Sequence, residues 1–294
     1  MATVLLQAPA GAAQRDHSAS ERFPSAAAKH LEVDVGSVDV RLRTADLTQI
    51  EAEVLLHIGG TGEEKAERWI ENHTPSFTDS KDHLGFGSLS ASARLFLLTP
   101  GDIVPDITTT SGSILVHGDF PNAHPLHLRS STGDADVTGA ARSLDFRSSA
   151  GDARIEVIRP LESVTARTAS GDVSLTGGAQ RARVDTASGR IWLENLSGDV
   201  EVSTSTAKIT LSWDRLEPDA MVRVRSSSGR VQLIVPDGVR PRGSLTTTTG
   251  SVRSEFPGEV TEGGTTLRLA GDGPVFDVET ASGEIQLTVG EAWD

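Results

Sequence analysis

Three aspartates, Asp134, Asp152 and Asp172, each directly follow a glycine, and they recur 18 and 20 residues apart. Carboxylates brought together at such a step can hold a hard cation such as Ca²⁺, which takes oxygen ligands. Asp after Gly is also ordinary solvated turn chemistry. The expectation is therefore no bound metal and no cofactor, with these three as the carboxylates to examine. Three bases follow at the same place in later units: Arg190 and Arg230 after glycines, and Lys208 after Ala207. With Trp192 nearby, they form a candidate interaction surface. His117, Asp119, His124 and His127 are the densest histidine group, but their spacing matches no zinc or general-base motif. Polysaccharide cleavage needs paired carboxylates in a cleft with aromatic platforms. Trp192 and Trp213 are the only tryptophans between Thr109 and Leu287. No nucleophile elbow or phosphate loop is present, and the chain has no Cys, which removes thiolate chemistry and disulfides. No enzyme is expected.

The elements that position these residues are repeats. The phrase Thr-Ala-Ser-Gly-Asp-Val-Ser-Leu at Thr168–Leu175 returns as Thr186–Leu193, Ser226–Leu233 and Thr280–Leu287 with small changes. Aligned on the glycine, the landmarks are Gly112, Gly133, Gly151, Gly171, Gly189, Ala207, Gly229, Gly250 and Gly283. Neighbours are 18 to 22 residues apart until a last step of 33. Five before the landmark every residue is apolar, from Ile107 to Val278. Two after it every residue is apolar again, from Ile114 to Ile285. Four after it Ser254 is the one polar exception. Polar residues alternate with these columns, which is the period of strands with one buried face. Each unit holds two short strands joined by a glycine turn.

Three before the landmark stands a hydroxyl in all nine units, including Thr168, Thr186, Thr204 and Ser226. Alternation points it inward, and a buried hydroxyl needs a partner. Stacked rungs about 4.8 Å apart predict an internal Ser/Thr ladder bonding from rung to rung. A unit of about twenty residues cannot bury its apolar face alone, so neighbours must stack into a solenoid. The fold class expected is all-β: a single parallel β-helix, right-handed by the usual crossover preference, with a small N-terminal α+β cap.

The repeat, together with the lead-in Ala93–Pro100 and the closing Gly263–Leu269, resembles the bacterial β-strand-repeat family known as putative adhesins, a domain of unknown function. The resemblance runs from about Leu31 to Leu287. It implies the fold and carries no catalytic residues.

Residues 1–28 lack periodicity and read as a flexible tail. Residues 29–89 contain founding strands, and a capping helix is expected over Thr61–His73, where Thr61 and Glu64 form a capping box and Trp69 docks. Residues 90–294 are the array. A net charge of −14 disfavours nucleic acid, which wants a basic patch. No apolar run reaches the roughly 20 residues of a membrane span. The first seven residues lack a basic and apolar leader, so a cytoplasmic location is expected, with the cell envelope as the alternative. The function these features imply is a non-catalytic scaffold or protein-interaction solenoid, whose complementary acidic and basic columns suit self-assembly. The alternative is an adhesin-like surface protein binding carbohydrate through Trp192.

Overall fold

The computed structural model describes residues 3–5, 15–24, 30–58, 77–80, 83–86, 93–121, 125–261 and 263–290. It is all-β, with no helix among the described residues. The helix expected over Thr61–His73, with Trp69, lies outside them. The chain forms two compact units, Met1–Ala141 and Arg142–Asp294.

The second unit is a stack of rungs paired in parallel. Ser143–Arg147 lies beside Ser163–Ser170, and Ala153–Val157 beside Val173–Thr176. These are followed by Arg181–Leu196 and then Asp199–Trp213. Met221–Ser228 and Val231–Val235 together make the next rung. Equivalent residues meet: Thr168 pairs with Thr186, Thr186 with Thr204, and Thr204 with Ser226. The apolar columns thereby become continuous files. Val184, Val202, Val224 and Val278 are fully buried, as are Ile209, Val231 and Ile285. Each such side chain contributes about 1.5–3 kcal/mol on leaving water. Trp213 fills the interior, its ring edge-on to Phe276 at 5.9 Å between centroids, and its indole N–H donates to the Gly198 carbonyl at 3.3 Å.

The rungs do not stack in chain order. The last strand, Val275–Val289, pairs with Met221–Ser228 and Val231–Val235 on one side and with Arg242–Ser254 on the other. The Gly283 rung thus sits between the Gly229 and Gly250 rungs. Between them the chain makes Gly258–Val260 and Thr266–Ala270, which pair antiparallel with each other, and Thr266–Ala270 also pairs antiparallel with the edge of Arg242–Thr246. The chain runs to the end of the stack, folds a hairpin over it, and returns to fill the vacant level. Residues 242–254 are therefore outermost. That explains Ser254: a polar residue breaks the apolar column where no further rung covers it.

The first unit repeats this arrangement. His30–Asp34 and Asp39–Thr44 form a rung between one made of His83–Phe86 with Ala93–Thr99 and one made of Val104–Thr109 with Ile114–Phe120. Leu126–Ser130 and Ala135–Ala141 follow. Of the founding strands, His30–Asp34 and Asp39–Thr44 are thus a rung inside the stack, and the third lies over its end. Capping falls to Gln49–Ile58, antiparallel along Ala93–Thr99, with Arg15–Pro24 antiparallel along Gln49–Ile58 in turn. Residues 15–24, expected as part of a flexible tail, pair over ten positions. Backbone hydrogen bonds hold that strand, and its sequence lacks the apolar alternation by which a strand is recognised.

Several landmark glycines adopt φ values closed to other residues. Gly189 has φ +129°, and a Cβ there would strike the Gly171 carbonyl. Gly36 has φ +58° with open space around it. Gly189→Ala should cost about 1–3 kcal/mol from backbone strain alone, with the clash added. Gly36→Ala should cost less. Denaturant melts of both variants check this ordering.

Candidate interaction face

The position after each landmark points outward, and the rung order decides what meets there. In the second unit the column runs Asp152, Asp172, Arg190, Lys208, Arg230, Glu284 and Ser251. Asp152 Oδ1 accepts the Asp172 N–H at 2.7 Å, and Asp172 Oδ1 accepts the Arg190 N–H at 2.7 Å. In the first unit Asp39 Oδ1 accepts the Ser113 N–H at 3.0 Å. Asp after the turn therefore stitches one rung to the next. Asp172 Oδ2 also takes the Arg190 guanidinium, at 2.8 Å from Nε and 2.6 Å from Nη2. These bonds occupy the carboxylate that a cation would need, and among the described residues no three His, Asp or Glu gather as a metal site. Asp134 belongs to the first unit. His117 and Asp119 lie on Ile114–Phe120 and His127 on Leu126–Ser130, while His124 lies outside the described residues.

Arg230 meets Glu284 at 3.1 Å, and Arg253 meets the same carboxylate at 3.4 Å. The returning strand brings Glu284 there, a neighbour that chain order hides. Lys208 lies exposed between Arg190 and Arg230 with no ion pair among the described residues. Trp192 projects from the same face, 49% exposed, with Ser174 and Thr210 in register on either side. Arg190, Lys208, Arg230 and Trp192 are thus gathered on three consecutive rungs.

The file of hydroxyls mixes bonds within a turn with bonds between rungs. Thr186 Oγ1 donates to the Ser188 carbonyl at 2.9 Å, Ser226 to Ser228 at 2.9 Å, and Thr280 to Ser282 at 3.2 Å. Thr168 does the same with Ser170 at 3.2 Å. These four hydroxyls close their own turns by donating to a carbonyl two residues on, and the Ser188 and Ser282 carbonyls accept in addition from the Gly171 and Gly229 amides of an adjacent rung. Thr168 and Thr247 also reach the Gly151 and Gly283 carbonyls of an adjacent rung, at 3.4 and 3.2 Å. Thr204, three residues before Ala207 instead of a landmark glycine, is buried, and its Oγ1 has no partner among the described residues.

A second outward face carries interlocked ion pairs: Arg167 and Arg183 on Asp185, Arg183 on Glu201, and Arg223 and Arg225 on Asp277. Above it a groove of about 870 Å³ follows the bend before the landmark, lined by Arg167, Asp185, Ser203, Arg225, Glu279 and Thr246 among others. Sequence spacing gave no sign of the groove, since a concave bend depends on backbone turns.

The model of a family described as Toastrack DUF4097 matches residues 28–288. The chain belongs to the Toastrack DUF4097 family. This is a bacterial domain of unknown function, and the resemblance carried by the Thr168–Leu175 repeat points to it correctly. Toastrack domains are β-solenoid-like. This Toastrack chain is similar to the crystal structure of a putative adhesin from Parabacteroides merdae, at 11% identity over 93% of this chain and 96% of that one, with a TM-score of 0.45. It is similar to a putative adhesin from Bacteroides fragilis at 12% identity, over 92% and 96%, with a TM-score of 0.44. A putative lipid binding protein from Parabacteroides distasonis gives 7%, 94%, 97% and 0.32. No curated protein matches the Toastrack chain.

Burial pushes the Asp172 carboxyl up, but the hydrogen bonds from the Arg190 amide and guanidinium and the charge of that guanidinium outweigh it. The group is held below its ordinary range. Hydrogen bonding from Arg225 likewise lowers Asp277, against a burial penalty. A carboxyl lowered in the folded state adds stability that is complete above its unfolded pKa, near 3.9, and lost as pH falls through the folded value. Asp172→Asn should therefore cost stability at neutral pH and narrow its gap to wild type below about pH 4. Melts across that range check it; a gap that does not change with pH contradicts it.

Proposed function

We propose that the chain is a rigid, non-catalytic β-solenoid scaffold whose coils wind right-handed, and that Trp192, Arg190, Lys208 and Arg230 form its protein-interaction face. The observation that carries this reading is Trp192, 49% exposed on a fixed parallel ladder beside Lys208, which has no ion pair among the described residues. Aromatic and cationic side chains on a preorganised surface supply most of the binding energy in protein interfaces. In this reading Thr168, Thr186, Thr204 and Ser226 are structural, holding the turns that keep the face flat, and Asp134, Asp152 and Asp172 hold no metal. Neither a cofactor nor nucleic acid belongs to it.

Trp192 also favours a second reading, an adhesin-like binder of carbohydrate, since an exposed indole offers a sugar ring a flat apolar surface. Location separates the two: recovery in the soluble fraction suits a cytoplasmic scaffold, and protease accessibility on intact cells suits an envelope adhesin.

Trp192→Ala with Lys208→Glu should leave the melting temperature near wild type and weaken capture of the native partner by about 2 kcal/mol, or roughly thirtyfold. A pull-down from the native cell with wild type and variant in parallel measures this. Equal capture by both contradicts the protein reading. Binding of the wild type, and not of the variant, to a neutral glycan panel supports the second.

A further inference from the structure

The outermost rung of the second unit, Arg242–Ser254, is paired on its inner edge along its whole length by Val275–Val289. Its outer edge is covered over the first half only. Arg242–Thr246 pair with Thr266–Ala270, and the Thr247 N–H donates to the Thr265 carbonyl. From residue 249 to residue 254 the outer edge has no backbone partner among the described residues. The first unit leaves no such gap on Ala93–Thr99, whose edge Gln49–Ile58 covers through Leu98. The core shows the same opening. Val252 is only half-buried, whereas Val173, Ile191, Ile209, Val231 and Ile285 in its column are at most 1% exposed.

The direction of the free groups follows from the ladder. The Glu255 N–H donates inward to the Leu287 carbonyl. In a parallel ladder the N–H and C=O of one residue face the same side, and successive residues alternate. Val252 and Ser254 therefore turn both groups outward. An open edge of this kind is a template for another strand.

We propose that residues 249–254 are a self-docking edge through which two copies of this chain join antiparallel about a two-fold axis at Val252. The sequence at the edge is self-complementary, as a two-fold contact requires. With Val252 opposite the second copy's Val252, the two exchange both N–H···O=C bonds, and Ser254 falls opposite the second copy's Gly250. Arg253 then faces the second copy's Ser251, and Glu255 the second copy's Thr249, so no like charges stand directly opposite. The two half-buried valines cover each other's open core end. A two-fold contact uses both edges at once, and the bend at Glu255–Phe256 followed by Pro257 keeps it short. The product is a closed dimer and not a filament. This deepens the scaffold reading by supplying one partner, and it is independent of Trp192.

Light scattering of the full chain over a dilution series tests it. Wild type should approach twice its 31.0 kDa at high concentration. Val252→Pro removes an outward donor without touching the inner ladder, so it should remain at the monomer mass with an unchanged strand signature in circular dichroism. Since the chain has no native Cys, Val252→Cys provides a single thiol, and mild oxidation should trap a disulfide dimer. A wild type that stays monomeric, or a folded Val252→Pro that still dimerises, overturns the proposal. If the Val252→Pro chain proves unfolded, Val252→Cys decides: a trapped dimer supports the edge, and none overturns it. In each case capture of a separate protein through Trp192 is unaffected, so failure of the edge and failure of the interaction face are told apart.

Discussion

At most positions of the landmark column, Ala207 being the exception, the backbone of one rung passes so close to the next that a side chain has no room. A Cβ on Gly133, Gly189, Gly229 or Gly283 would meet a main-chain carbonyl of the adjacent rung. This approach fixes the vertical register, and the register fixes the rest. Once the glycines are superposed, the apolar residues five before and two after them must form files, and the file of hydroxyls must fall at the bend. The backbone then turns the corner without breaking its ladder, as Arg181–Leu196 and Asp199–Trp213 do over 16 and 15 residues. The parallel ladder supplies the hydrogen bonds, burial supplies the driving force, and glycine makes the two compatible.

Much of this was legible in the sequence because period-two alternation and a recurring glycine are properties of the rung itself. The order of rungs was not, because neighbours in a stack need not be neighbours in the chain. Two positions did carry the signal. The 33-residue step to Gly283 left room for the hairpin, and Ser254 marked an apolar column that had reached its end. The antiparallel strands were hidden for a different reason. Arg15–Pro24 has no apolar alternation, so its pairing with Gln49–Ile58 is a backbone event that side-chain pattern cannot announce.

The same distinction governs the candidate face. That Arg190, Lys208, Arg230 and Trp192 share a side follows from alternation. Their electrostatic state depends on stacking order. Read along the chain, three acids precede three bases, and like charges collect. In the stack Asp172 holds Arg190, and Glu284 arrives beside Arg230, which leaves Lys208 as the base of that column without an ion pair among the described residues. The hydroxyls carry a parallel lesson. Their recurrence suggested bonds between rungs, and Thr168 and Thr247 make such bonds to the Gly151 and Gly283 carbonyls, but Thr186, Ser226 and Thr280 donate to the carbonyl of their own turn.

The interleaved stack rests on the level at which the last strand sits, and a pair of engineered thiols measures that level directly. Ser228 and Ser282 are in register on adjacent rungs, as are Ser282 and Thr249. Adjacent rungs lie about 4.8 Å apart, within reach of a disulfide, and rungs two levels apart lie beyond it. Ser228→Cys with Ser282→Cys should therefore oxidise to an intramolecular disulfide, and Ser228→Cys with Thr249→Cys should not. The reverse outcome, a bond between positions 228 and 249 and none between 228 and 282, would mean that the rungs follow chain order and that the interleaved stack is wrong.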